Sequence, residues 1–124
     1  MGQVSAVLRR MTNGYSHWCP GCGEMHAIYT SKPNIYNESP VWSFNGDLER
    51  PTFNPSIRIG GKQTVRDAEG RWTGEWVRDA AGNALDACCH YHLHAGELKF
   101  LNDCTHKLAG QTVPLPPLPA GMAD

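Results

Sequence analysis

The sequence lacks the features that would place it in several large classes of protein. No apolar run approaches the roughly 20 residues that a membrane span requires. Lys and Arg total 11 against 12 Asp and Glu, for a net charge of -1, so bulk positive charge is missing. This argues against an electrostatic nucleic-acid binder and against a polybasic membrane anchor. Aromatic residues are 9% of the chain, which is lean for a domain held together by packing alone.

Helical periodicity and the familiar catalytic motifs are also missing. No segment keeps an i, i+3, i+4 apolar stripe, and 13 Gly with 9 Pro indicate many turns. There is no H-E-x-x-H, no G-x-S-x-G and no phosphate loop. Arg9 and Arg10 interrupt the place where a signal peptide needs its apolar region, so we expect a cytosolic protein without a signal peptide.

Metal-ligand residue types are abundant instead, with five Cys and six His in 124 residues. The clearest motif is Cys19-Pro20-Gly21-Cys22-Gly23, in which a tight turn aims two sulfurs at one point. This is typical of one half of a zinc ribbon. A thioredoxin-like redox pair is the alternative, but Gly21 and Gly23 disfavour the helix such a pair begins.

A predicted hairpin supplies the remaining ligands. If Ala95-Gly96 is a two-residue turn, Leu93 lies opposite Leu98 and Tyr91 opposite Phe100. Alternation then gives a core face that carries Cys89, Tyr91, Leu93, Leu98, Phe100 and Cys104. Cys89 and Cys104 become diagonal neighbours about 7 Å apart, close enough for their side chains to converge.

We therefore predict one structural Zn²⁺ bound by Cys19, Cys22, Cys89 and Cys104. A set in which His90 or His106 replaces one strand cysteine is the alternative. Cys88 points to the other face in this register and is expected to be a free thiol, although a slip of one residue would exchange it with Cys89.

The opposite face carries a row of histidines, His90, His92 and His94, which is more often a solvated surface than a site. His26 follows the knuckle and is either a hydrogen-bond donor to a thiolate or an ordinary strand residue. Asp103 and His106, with His90 on the next strand, form a candidate acid–base group or open metal site. Thr52 and Ser56 are conceivable nucleophiles, but hydroxyls in a proline-fixed segment more often cap turns.

The expected fold class is mainly β: a small zinc-ribbon-like antiparallel β domain with hairpins and little helix. It covers residues 1–114, and residues 61–87 form an inserted β-meander whose two Asp-x-x-Gly turns repeat with an offset of 12 residues. The Pro-rich segment 51–56 is expected to be an ordered extended loop rather than a central strand. Residues 115–124 form a Pro-rich tail, extended or disordered.

The ordered motifs also resemble a known family. They are Trp18 to Gly23 with His26, Trp42, Pro51-Thr52, Pro55-Ser56-Ile57, Cys89-His90, Phe100 to His106 and Leu108 to Val113. The resemblance, from about Tyr15 to Leu115, is to an uncharacterised family of short proteins encoded mainly by tailed phages and prophages. Some of its members carry an ammonia-monooxygenase label, which the chain's lack of any membrane-embedded copper architecture does not support. The meander at 61–87 and the extra Cys88 depart from the family pattern.

The resemblance implies a phage origin, residence in the host cytoplasm or the virion, and a site made from the same four cysteines with His90 and His106. We therefore expect a zinc-binding structural or interaction module for a protein partner, either a virion component or a host factor. Nucleic acid and membrane are not expected partners. The alternative, less favoured than a non-enzymatic role, is a small metal-dependent hydrolase that uses His90, Asp103 and His106.

Overall fold

The computed structural model describes residues 2–32 and 40–121, which form ten β-strands and no helix. The strands are β1 (Arg9–Met11), β2 (Gly14–Cys19), β3 (Glu24–Tyr29), β4 (Ser43–Phe44), β5 (Phe53–Lys62), β6 (Thr64–Arg66), β7 (Trp72–Trp76), β8 (Asp86–His94), β9 (Glu97–Phe100) and β10 (Thr112–Pro114). The prediction of a small, mainly β domain with antiparallel sheets is confirmed. No helix within the described ranges is long and apolar enough to cross a membrane.

The first sheet has the order β1-β2-β3 and carries the cysteine knuckle at one end. Strands β2 and β3 pair from Gly14 with Tyr29 to Cys19 with Glu24. The knuckle between them closes with a 2.8 Å bond in which the Gly23 N–H donates to the Cys19 carbonyl, and Gly23 has a φ of 67°. A positive φ is readily adopted only by glycine, so this residue lets the chain turn tightly enough to bring Cys22 back over Cys19.

The second sheet has the order β10-β9-β8-β5-β4 and contains the predicted hairpin. Tyr91 pairs with Phe100 and Leu93 with Leu98, so the predicted register is confirmed. Ala95 and Gly96 have φ values of 48° and 78°, as a two-residue primed turn requires. The predicted core face is buried throughout, including Cys89 and Cys104.

The segment 51–56 differs from its prediction, because β5 starts at Phe53 and runs between β8 and β4. The pairing with β8 is interrupted between Phe53 and Ile57. Pro55 lies in this irregular stretch, where its missing N–H costs no ladder hydrogen bond. The irregularity thus lets a Pro-rich segment enter a central strand.

The inserted meander at 61–87 contains a separate two-stranded ribbon of β6 and β7. Both predicted Asp-x-x-Gly turns are present. Asp67 Oδ1 accepts the N–H groups of Glu69 and Arg71, and Asp79 Oδ1 accepts those of Ala81 and Asn83. The sequence repeat therefore encodes two copies of one Asp-capped turn.

The Pro-rich tail continues along the domain outside any strand as far as Gly121, and residues 122–124 of the predicted tail lie outside the described part of the chain. Leu115 is buried in the core, and its N–H donates to the Gly96 carbonyl at 2.9 Å. The Leu118 N–H donates to the Ala6 carbonyl at 2.9 Å. The start of the tail is therefore part of the packed domain.

Candidate active site and metal-binding cluster

Strand β8 carries two different groups of polar side chains on its two faces. Cys89 and Tyr91 point into the core, whereas His90 between them points outward and is partly exposed. Side chains on a strand alternate between faces, so adjacent residues can serve separate sites. The outward face holds a Ser–His–Asp arrangement and the inward face holds a Cys–His cluster.

On the outward face, His90 contacts a hydroxyl and a carboxylate through its two ring nitrogens. Ser56 Oγ lies 3.1 Å from Nε2, and Asp103 Oδ2 lies 3.0 Å from Nδ1. In the neutral ring the proton must sit on Nδ1, because a carboxylate only accepts. Nε2 is then an acceptor, so the Ser56 hydroxyl donates its proton to it. This is the polarity that a general base needs to activate a serine nucleophile.

Three separate parts of the chain hold these residues in place. Arg58 of β5 pairs directly with His90 of β8, which brings Ser56, two residues earlier, to the same edge of the histidine. The indole N–H of Trp42 donates to the Ser56 carbonyl at 3.2 Å. Asp103 lies in the loop after β9, where the Leu101 N–H donates to the His90 carbonyl at 2.9 Å.

The hydrogen bond from His90 favours the ionised form of Asp103. The hydrogen bond from His90 lowers the pKa of the Asp103 carboxyl below its ordinary value, and the charge of Arg58 acts in the same direction. Asp103 is therefore ionised throughout the neutral range. A carboxylate at this position fixes the tautomer of the imidazole and stabilises an imidazolium if one forms.

On the inward face, four buried or half-buried side chains converge. One ligand atom from each of Cys19, Cys22, His26 and Cys89 lies within 4.8 Å of the other three. The sulfurs of Cys19 and Cys89 are 3.9 Å apart, and the Cys22 N–H points at Cys19 Sγ at 3.4 Å. Backbone N–H groups aimed at sulfur favour the thiolate form that binds metal.

The three thiols cannot all ionise without a counter-charge. Hydrogen bonds from the Cys22 and Cys89 thiols lower the pKa of Cys19, and the bond between Cys22 and Cys19 raises the pKa of Cys22 to about 12. The pKa of Cys89 is raised as well, because hydrogen bonding to the sulfurs of Cys19 and Cys22 favours its protonated form and burial adds to the effect. Full ionisation of all three sulfurs would therefore need a cation among them, as a thiolate metal site provides.

The protonation of His26 follows from a chain of hydrogen bonds. His17 Nδ1 lies 3.1 Å from the Trp18 carbonyl and must donate to it, so His17 Nε2 is an acceptor. Tyr91 O–H, 2.6 Å from that nitrogen, donates to it. The Tyr91 oxygen then accepts from His26 Nδ1 at 3.1 Å.

This chain leaves His26 Nε2 with a free lone pair inside the protein. The atom is buried and has no hydrogen-bond partner, and the Glu24 carboxylate at 4.0 Å is too distant to be one. Burial lowers the pKa of His26, which keeps the ring neutral. A neutral imidazole whose unpartnered nitrogen lies beside three sulfurs can bind a metal ion. The residues present therefore fit a tetrahedral metal ion.

His106 has the opposite protonation. Its Nδ1 accepts the Leu108 N–H at 3.2 Å, so its Nε2 carries the proton. That nitrogen lies 3.4 Å from Cys89 Sγ and donates to it. His106 therefore contacts a sulfur of the cluster and does not join His90 and Asp103 on the outward face.

The predicted ligands are thus only partly brought together. Cys19, Cys22 and Cys89 share the cluster with His26, whereas Cys104 lies within 4.8 Å of Cys89 and His106 in a second, overlapping group. Ligation by Cys104 stays a prediction. His90 faces away from the cluster, His92 and His94 are exposed, and Cys88 belongs to neither group of described residues.

The Ser–His–Asp arrangement stands on an open face of the sheet. A cleft of about 340 Å³ lies beside the knuckle and is lined by Gly21, Gly60, Gly61 and Thr64 among others, but by none of Ser56, His90 and Asp103. The side chains of His90 and Asp103 are 24% and 53% exposed. An open site suits an extended chain lying across the sheet better than a small molecule that needs enclosure.

Fold and site together define a class: a small antiparallel β domain with a Ser–His–Asp arrangement on one face of a strand and a Cys–His cluster that could hold a metal ion on the other. Residues 2–101 match the family described as bacterial ubiquitination-like system serine protease (BubE). The chain belongs to this family. No curated protein and no solved structure matches it.

Two residues of these sites carried little signal in the sequence. Ser56 lies in a Pro-rich segment, and its contact with His90 depends on pairing between β5 and β8, 34 residues apart in sequence. His26 stands beyond the C-x-x-C spacing, and only the fold of β3 over the knuckle turns it toward the sulfurs. Both depend on the tertiary arrangement of strands.

Proposed function

We propose that this domain is a serine protease of a bacterial ubiquitination-like system, with Ser56 as nucleophile, His90 as general base and Asp103 as the residue that orients it. The observation that carries the proposal is the pair of contacts from His90 to Ser56 and Asp103, at 3.1 and 3.0 Å. The family description names the same chemistry. The three residues hold the roles that define such a triad in any fold.

The reaction begins when Ser56 Oγ attacks the carbonyl carbon of the scissile peptide bond and His90 Nε2 takes its proton. Asp103 stabilises the imidazolium through Nδ1. His90 then gives the proton to the departing amine nitrogen as the peptide C–N bond breaks, which leaves an ester on Ser56. Water attacks that ester with His90 again as base, and the carboxylic acid product leaves as the serine regains its proton.

The substrate we propose is an extended polypeptide, because the triad lies on an exposed sheet face. Arg58 pairs with His90 on the same face, and its guanidinium forms no salt bridge within the described residues. A cation beside the nucleophile favours substrates with negative charge near the cleaved bond. The protein partner expected from the sequence is, on this proposal, the substrate.

We further propose that the Cys–His cluster binds one structural Zn²⁺ through Cys19, Cys22, His26 and Cys89. The donor set of three sulfurs and one imidazole is typical of zinc, and four protein ligands close the coordination sphere. The ion would supply cohesion between strands. Catalysis by the triad needs no metal, which separates this proposal from a metal-dependent hydrolase built on His90, Asp103 and His106.

A fluorophosphonate probe tests the protease proposal, because it reacts with activated serines and needs no knowledge of the natural substrate. We expect stoichiometric labelling of the wild-type domain, located on Ser56 by peptide mass spectrometry. Ser56→Ala should abolish labelling, and Asp103→Asn should slow it by about 10³-fold or more, since the amide disfavours the required tautomer.

Ser31→Ala is the matched control, because Ser31 is exposed and its hydroxyl donates to the Asn13 side chain, far along the chain from Ser56. This variant should react at the wild-type rate. A folded, metal-loaded wild-type domain that is not labelled, or a Ser56→Ala variant labelled as fast as wild type, would contradict the proposal.

A further inference from the structure

Cys104 makes its hydrogen bonds with the backbone of His90, the proposed general base. Its buried Sγ lies 3.2 Å from the His90 N–H, which donates to it, and 3.2 Å from the His90 carbonyl, to which the thiol donates. Both polar groups of one residue's backbone are thus held by one sulfur. A side chain that holds both the donor and the acceptor of a residue restricts rotation of its peptide planes.

This geometry requires a thiol. The contact to the His90 carbonyl needs an S–H donor, and a sulfur bound to a metal ion has none. Cys104 is also absent from the four-donor group of Cys19, Cys22, His26 and Cys89, and its own group with Cys89 and His106 offers three ligand atoms rather than four. Its contacts therefore fit a role at the triad better than a role as a zinc ligand.

Cys104 is also the neighbour of the carboxylate that His90 needs. Asp103 is exposed, and the structure gives its carboxylate one hydrogen bond to another side chain, the bond to His90. Its position depends on the loop that carries it. Leu101 donates to the His90 carbonyl at 2.9 Å, and Thr105 donates to the Cys88 carbonyl at 2.9 Å, so the loop is tied to β8 on both sides of Asp103.

Two side chains add to this tie. The Thr105 hydroxyl accepts the Cys88 N–H at 3.0 Å, and the Cys104 sulfur, one residue from Asp103, holds the backbone of His90 itself. Without the sulfur, the His90 N–H would lose its partner and the Asp103 side chain would gain freedom. Displacement of a supporting group by about 1 Å can cost on the order of 10²-fold in rate.

We propose that Cys104 is a positioning residue of the triad, which holds His90 and Asp103 in register through the backbone of His90. The proposal rests on the proposed protease function for its kinetic consequence. Its structural consequence, the state of the His90 ring, is measurable whether or not the domain cleaves anything.

Replacement by alanine and by serine separates the hydrogen bonds from mere volume. Cys104→Ala removes both bonds, and kcat for p-nitrophenyl acetate should fall at least about tenfold with little change in KM. Cys104→Ser keeps a donor and an acceptor, so it should restore most of kcat. Both variants should keep the wild-type metal content.

The second readout is the tautomer of His90, followed by ¹⁵N NMR of the imidazole nitrogens. The wild type and Cys104→Ser should show a dominant Nδ1–H form, and Cys104→Ala should show a mixture. If no variant hydrolyses the ester but the tautomers change in this order, the protease proposal fails while the positioning role stands.

Cys88→Ser is the matched control, because Cys88 is the neighbouring strand cysteine and belongs to neither metal-ligand group of the described residues. It should leave metal content, kcat and tautomer unchanged. Loss of metal in Cys104→Ser would overturn the positioning role and support Cys104 as a ligand. A Cys104→Ala variant with the wild-type kcat and tautomer would also overturn it.

Discussion

At the scale of single residues, hydrogen bonds with backbone and side-chain groups decide which ring nitrogen of each of four histidines carries the proton. The Asp103 carboxylate fixes the tautomer of His90. The Trp18 carbonyl fixes that of His17 and, through the Tyr91 hydroxyl, that of His26. The Leu108 N–H sets His106. One residue type therefore fits three different roles in the same small domain, as the proposed base, as a proposed metal ligand and as a hydrogen-bond donor to a cysteine sulfur.

The assignment of His26 and His106 gives a prediction about metal content. His26→Gln should lose the bound metal, because it removes the orphaned Nε2 from the cluster, whereas His106→Gln should keep about one metal per chain. Metal analysis of the purified variants by mass spectrometry measures this. Retention of metal by His26→Gln together with its loss from His106→Gln would show that the two roles are exchanged.

The sequence identifies most of these residues but does not show which of them lie together. The C-x-x-C spacing identifies Cys19 and Cys22, and strand alternation assigns Cys89 and His90 to opposite faces. Ser56 and His26 join their groups only through long-range strand contacts, which no local pattern encodes. That is why the sequence does not group His26 with the cysteines, and why it favours a turn-capping role for the Ser56 hydroxyl.

At the scale of secondary-structure elements, the hairpin of β8 and β9 is the part that the sequence predicts best. Its turn residues, alternation and register all agree with the structure, because each depends on neighbouring residues. Strand β5 is the opposite case. Its prolines argue against a central strand, and only the interruption of its pairing with β8 makes them tolerable.

The pairing of β2 with β3 gives a prediction about stability. A methyl group on Gly14 would fall on the Ile28 carbonyl oxygen and crowd the Tyr29 backbone. Backbone atoms cannot move aside cheaply, so Gly14→Ala should destabilise the domain by about 1–3 kcal/mol. Denaturant unfolding followed by tryptophan fluorescence measures the difference.

Gly61→Ala is the control for that experiment, since a methyl group there has no neighbour within 4 Å. Its stability should equal or slightly exceed that of the wild type, because alanine restricts the unfolded chain. Equal stabilities for Gly14→Ala and the wild type would mean that β2 and β3 separate without cost at this point.

At the scale of the whole molecule, the cluster links the two larger sheets. Cys19, Cys22 and His26 come from the first sheet and its knuckle, and Cys89 comes from β8 of the second. The apolar core is modest, and the Tyr91 bonds to His17 and His26 cross the same boundary. A metal ion at this point would hold together sheets that share few other polar contacts.

Metal removal should therefore affect both stability and the distant serine. We expect chelation at neutral pH to lower the melting temperature by at least about 10 °C and to suppress labelling of Ser56. Added Zn²⁺ should restore both, and Mg²⁺ should restore neither, because hard cations prefer oxygen ligands. An unchanged melting temperature in metal-free protein would contradict the structural role of the ion.

The alternation of side chains along β8 determines what the domain would lose if this strand paired one residue out of register. A slip of this strand by one residue would turn Cys89 out to solvent and move His90 away from Ser56, so the proposed general base would be lost. The inward position of Cys89 would pass to Cys88 or His90, and either residue type can still bind a metal ion. Metal content alone would therefore not report the register of β8, whereas labelling of Ser56 would.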